Sequence, residues 1–146
     1  MIEDAVVAAA GSRREGRERI LGLLYEAETK GAALGEVIDD LPIALTGYAA
    51  QIAGALGEGL DEIDELIEEA SHHWSVSRMP AVDRALLRMA TFELAHRADI
   101  PVGAVISEAV DLAAEYSTDS SSRFVNGVLA RLAGDLRPDE PTINAD

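Results

Sequence analysis

The chain has no cysteine among its 146 residues, which excludes disulfides and thiolate metal sites and fits a reducing cytoplasm. Aromatic side chains are almost as scarce: one Trp, three Tyr and two Phe. A core must therefore come from Leu, Ile, Val and Ala, which suit close helix packing, and apolar residues at 48% supply enough of them. No apolar run approaches the roughly 20 residues that a membrane-spanning helix needs, and the opening Met1-Ile-Glu-Asp lacks the basic start of a secretory signal. Positive charge is also in short supply. Twelve Lys and Arg stand against 27 Asp and Glu, a net charge of −15. That balance opposes nonspecific nucleic-acid binding, which rests on clustered cations.

The charge is nevertheless uneven. Between Glu26 and Glu69 there are twelve acids and a single base, Lys30, whereas Arg13, Arg14, Arg17 and Arg19 face only Glu15 and Glu18. A second basic set, Arg78, Arg84, Arg88 and Arg97, is interspersed with Asp83 and Glu93. Screening limits distant repulsion to about 10 Å, so a local basic face can act within an acidic protein.

Hydrophobic periodicity is helical throughout, and the fold class is all-α. Residues 1–11 read as a flexible arm. Ser12 is a candidate N-cap with Glu15 as its capping-box partner, opening a helix to about Lys30 that ends at Gly31. A short helix from Ala33 to Leu41 stops before Pro42, and two helices cover Ala44 to Ala70 around Gly57 and Gly59. Pro80 starts a helix that buries Val82, Leu86, Met89, Ala90 and Leu94. Pro101 starts another, and a serine-rich connector over 117–122 leads into the last. Residues 135–146 are acidic and proline-bearing and are expected to be disordered.

Four features could carry chemistry. Glu69-x-x-His72 and Glu93-x-x-His96 have the spacing of half-sites in a carboxylate-bridged di-metal centre, but both lie near helix C-termini, where His commonly meets exposed carbonyls. Trp74 reads as the closing contact of a helical interface, with stacking on a base as the alternative. The Arg13–Arg19 stretch is either an ordinary charged helix start or a site for an anionic ligand, because cations at a helix N-terminus oppose the macrodipole. Phe124, beside Arg123 and the serine-rich turn, is either a core residue or a surface on which an unpaired base stacks.

Three segments taken together resemble the NusB family of transcription antitermination factors. They are Arg17-Glu18 through Leu24-Tyr25-Glu26, Pro80-Ala-Val-Asp-Arg-Ala-Leu-Leu-Arg-Met-Ala-Thr-Phe-Glu-Leu94, and Asp99 through Leu129 with its Ser121-Ser-Arg-Phe-Val-Asn-Gly run. The resemblance covers about Arg13 to Leu132. It implies a bundle of about seven helices over 12–134, in two packed subdomains of about 12–78 and 79–134. It implies a cytoplasmic, noncatalytic protein that needs no cofactor or metal. Members pair with NusE, the small-subunit ribosomal protein, and the pair holds boxA-type RNA within the RNA polymerase antitermination complex on ribosomal RNA operons. By resemblance, RNA contact falls on Arg13, Arg14, Arg17, Ser121 and Phe124, and partner contact on Tyr25 and Asp83. Glu15, Gly16, Ser107 and Ser120, with Glu3 and Asp4 in the arm, depart from the family pattern. Ser120, in place of a common acid, favours RNA, but on balance the departures imply weak RNA binding alone and reliance on the protein partner. A diverged protein-only adaptor or a homodimer without RNA binding is the alternative.

Overall fold

The computed structural model describes residues 2–140, with side chains from Arg13 onward. Among these residues there are seven α-helices and no strand. They are α1 (Ile2–Lys30), α2 (Leu34–Asp39), α3 (Gly47–Glu58), α4 (Leu60–Ala70), α5 (Ala81–His96), α6 (Val102–Tyr116) and α7 (Asp119–Leu136), with a 3-10 turn over Val76–Arg78. The chain divides between Gly59 and Leu60 into two compact units. The boundary read from sequence lay near residue 78, so α4 falls in the second unit.

In the first unit, α1 packs on α2 and α3. It buries Ile20, Leu21, Leu24 and Ala27, the stripe expected from spacing, while α3 contributes Tyr48, Ile52 and Leu56. Gly31 stops α1 as anticipated. Its φ of +64° permits the left-handed turn, and Ala32 N–H closes back on Ala27 O at 2.9 Å. The start of α1 departs from expectation. The helix extends back to Ile2, so residues 2–11 are helical rather than a flexible arm and Ser12 is not an N-cap. The alanine-rich run from Ala5 to Ala10 has the propensity to continue a helix already nucleated by its packed half.

In the second unit, α4, α6 and α7 all pack on α5. That helix buries Ala85, Leu86, Leu87, Met89, Ala90, Phe92 and Leu94, a wider surface than one amphipathic stripe. A bidentate pair ties α4 to α5: the Arg88 guanidinium donates to both Asp64 oxygens at 2.8 Å. Residues 135–140, expected to be disordered, are instead held in place. Asp135 and Leu136 complete α7, and the Arg137 guanidinium then donates to the carbonyls of Glu93, Leu94, Arg97 and Ile100 at the end of α5 and the following turn. Glu140 in turn accepts from the Val102 N–H at the start of α6. Proline and acid content suggested disorder, but one arginine gathers four backbone carbonyls, two of which, Glu93 and Arg97, also accept a backbone N–H. Residues 141–146 lie outside the described residues.

Candidate nucleic-acid interface

The arginines of α1 lie in mid-helix, because α1 begins at Ile2. The macrodipole acts only over the terminal turns, so no electrostatic cost attaches to cations here, and that argument for an anionic ligand lapses. Their exposure separates them. Arg13 and Arg14 are half-buried at the surface, with Arg14 Nε 3.7 Å from Glu18. Arg17 is 3% exposed, and its guanidinium lies 5.6 Å from the centre of the Tyr48 ring. Gly16 explains why Tyr48 comes so near. A Cβ at Gly16 would sit 2.8 Å from Tyr48 Cβ and 2.9 Å from Ala49 N, so α1 and α3 touch there backbone to backbone. Arg19, passed over among the site residues, is exposed and with Glu15 lines a cleft of about 330 Å³ beneath the 43–49 segment. Tyr25, farther along α1, is 54% exposed.

The start of α7, in the second unit, combines a buried polar cluster with an aromatic pair. Thr118 is the N-cap, its hydroxyl accepting from Ser121 N–H at 3.1 Å. Ser121 is 7% exposed, and its hydroxyl meets those of Ser117 at 2.8 Å and Thr118 at 3.2 Å. Ser117 also lies 3.4 Å from the Asp83 carboxylate, which is buried. Ser121 and Asp83, read as RNA and partner contacts, thus share one cluster that fixes the α6–α7 turn. Phe124, one turn on, is half-buried and meets Trp74 edge to face at 5.1 Å. Trp74, read first as interior packing, is 45% exposed.

Three of the four arginines in the second basic set are structural. Arg84 donates to the carbonyls of Val76 and Met79, at 3.1 and 2.6 Å, Arg88 pairs with Asp64, and Arg97 pairs with Asp99 at 3.0 Å. Nor do the two Glu-x-x-His spacings converge. His72 lies beyond the end of α4 with φ +56°, and Glu93 is buried while His96 is exposed against Phe92. Among the described residues no group of three or more His, Asp or Glu is placed to hold a metal ion, and no helix is long and apolar enough to cross a membrane.

The architecture is that of an all-helical binding protein. The NusB family model matches residues 14–134. The transcription antitermination protein NusB of Clavibacter sepedonicus is 44% identical over 131 residues, covering 84% of this chain and 96% of that protein. NusB of T. maritima superposes with a TM-score of 0.73 at 34% identity, over 84% of this chain and 91% of that one. A crystal structure of antitermination factors NusB and NusE in complex with dsRNA gives 0.68 at 28% identity, over 85% and 97%. The chain belongs to the NusB family. That family is one of transcription antitermination factors, not of enzymes.

Proposed function

We propose that this antitermination factor binds boxA-type RNA together with NusE, acting in the cytoplasm within the RNA polymerase antitermination complex to sustain transcription of ribosomal RNA operons. The observation that carries the reading is the surface pair Arg13–Arg14 on α1, beside Glu15 and Glu18. The likeness to a NusB solved with NusE and dsRNA supports it. Arginine's planar fork suits phosphate oxygens and stacks on bases. In this reading Arg13 and Arg14 touch RNA, and Arg17 acts through Tyr48 as a positioning residue. Phe124 offers a ring to a base, while Ser121 and Asp83 hold the helix start that presents it. Tyr25 is the exposed candidate for contact with NusE.

The test is fluorescence anisotropy with a boxA RNA and a scrambled control, with and without NusE, at two salt concentrations. Selective binding strengthened by NusE is expected. Reversing Arg13 and Arg14 to Glu should abolish it with folding intact and flatten the salt dependence by about one unit of slope per lost phosphate contact. Absence of selectivity within a demonstrated protein complex would overturn the RNA reading and leave a protein-only adaptor. Dimerisation that masks the same arginines would point to a homodimer.

A further inference from the structure

Trp74 is the only tryptophan in the chain and follows the end of α4 by four residues. The two residues before it, His72 and His73, both hold positive φ, +56° and +65°, a region that L side chains occupy at a cost and that helix ends usually give to glycine. The turn is fastened on several sides. His73 N–H donates to Glu68 O at 2.6 Å, and Trp74 N–H to Ser71 O at 3.2 Å. The Ser71 hydroxyl lies within 3.3 Å of the carbonyls of Glu68 and Trp74. From α7, Arg131 donates to Ala70 O at 2.8 Å, satisfying a carbonyl at the end of α4. Trp74 is therefore held outward by a built turn, with its ring set edge to face against Phe124 at an interplanar angle of 75°. Such a pair, unlike a stacked one, leaves ring surface open to a third π system.

The surroundings favour a nucleobase over an apolar protein surface. Residues 70–82 and 120–134, the stretches that carry Trp74 and Phe124, contain no acid in a chain of net charge −15. They contain Arg78, Arg123 and Arg131, and His72 and His73, and all five are exposed. An aromatic platform with cations close by in sequence can take a base on the ring and phosphates nearby.

We infer that Trp74 is a base-stacking residue for unpaired RNA, extending the platform of Phe124 to a further base; the inference rests on the RNA reading above. The lone tryptophan makes it directly observable. The full-length chain with NusE is titrated with boxA RNA, and labelled-RNA anisotropy and tryptophan emission are followed together. A Trp74→Phe complex supplies the background from NusE. The expected result is saturable quenching of Trp74 at the anisotropy midpoint. Trp74→Leu, which stays apolar but cannot stack, should weaken binding by about fivefold or more, and Trp74→Phe should restore most of it. Should Trp74→Leu fail to fold, the wild-type quench and crosslinking of Trp74 to thiouridine-substituted RNA still decide. RNA binding with unchanged emission and no crosslink would overturn the inference while the RNA reading stands. Emission that shifts on adding NusE and not on adding RNA would overturn it in favour of a protein contact. Absence of RNA binding altogether would remove both.

Discussion

Arg13 and Arg14 on α1 and the set Arg84, Arg88 and Arg137 on α5 and just beyond α7 are alike in composition and opposite in use. The first pair lies half-buried along the middle of α1, with Glu18 beside Arg14. The second set turns onto backbone carbonyls or a carboxylate left open by neighbouring segments. A guanidinium is drawn inward where acceptors lie in its plane. The number of arginines in a segment does not distinguish the two settings.

Variants can break or sharpen that contrast. Arg137→Ala should be the most damaging, because it strips charged donors from four carbonyls; a loss of about 2–4 kcal/mol is expected in denaturant unfolding. Gly16→Ala should cost about 1–3 kcal/mol although alanine is the better helix former, since Tyr48 Cβ and Ala49 N leave the new methyl no flexible neighbour to displace. A neutral or stabilising outcome would show that α1 and α3 can separate freely. Glu140 should matter less and only in a pH window. The Val102 N–H, helped by Arg137, holds its carboxyl below the usual carboxylate range. Its contribution is complete above the unfolded pKa, near ~4.3, and is lost as pH falls through the lower folded value. The melting temperature of Glu140→Gln should therefore trail wild type at neutral pH, with the gap closing in acid. Arg13→Ala with Arg14→Ala should change stability least, within about 0.5 kcal/mol. The same double variant should depress RNA affinity, and Arg137→Ala in its folded fraction should not. If both variants lowered affinity equally, the division between structural and available arginines would fail.

Much of this arrangement could be read before any coordinates. The stripe Ile20, Leu21, Leu24 and Ala27, the stop at Gly31 and the break at Gly59 follow from spacing and from backbone rules that act over a few residues. Arg13–Arg19 and Phe124 were also apparent as candidates. What escaped depends on residues distant in sequence. Nothing near Arg17 announces that Tyr48 will cover it, and nothing near Arg137 announces the carbonyls some forty residues earlier. Ser12 satisfied a capping pattern that holds only where a helix begins, and the alanines before it carried the helix past. Trp74 does make the helical contact read for it, against Phe124, but its exposure follows from two histidines in left-handed conformation that composition does not announce.

The Arg137 clasp has a consequence for the order of events during synthesis. In the first unit, α1 and the α2 and α3 helices that pack on it are all present once Gly59 has been added. In the second, the carbonyl of Leu94 meets its donor from Arg137 only 43 positions later. At ribosomal rates of about 5–20 residues per second, that delay is roughly two to nine seconds. Through that interval the Leu94 carbonyl at the end of α5 is left to water, and the clasp on the second unit closes only once Arg137 has been made.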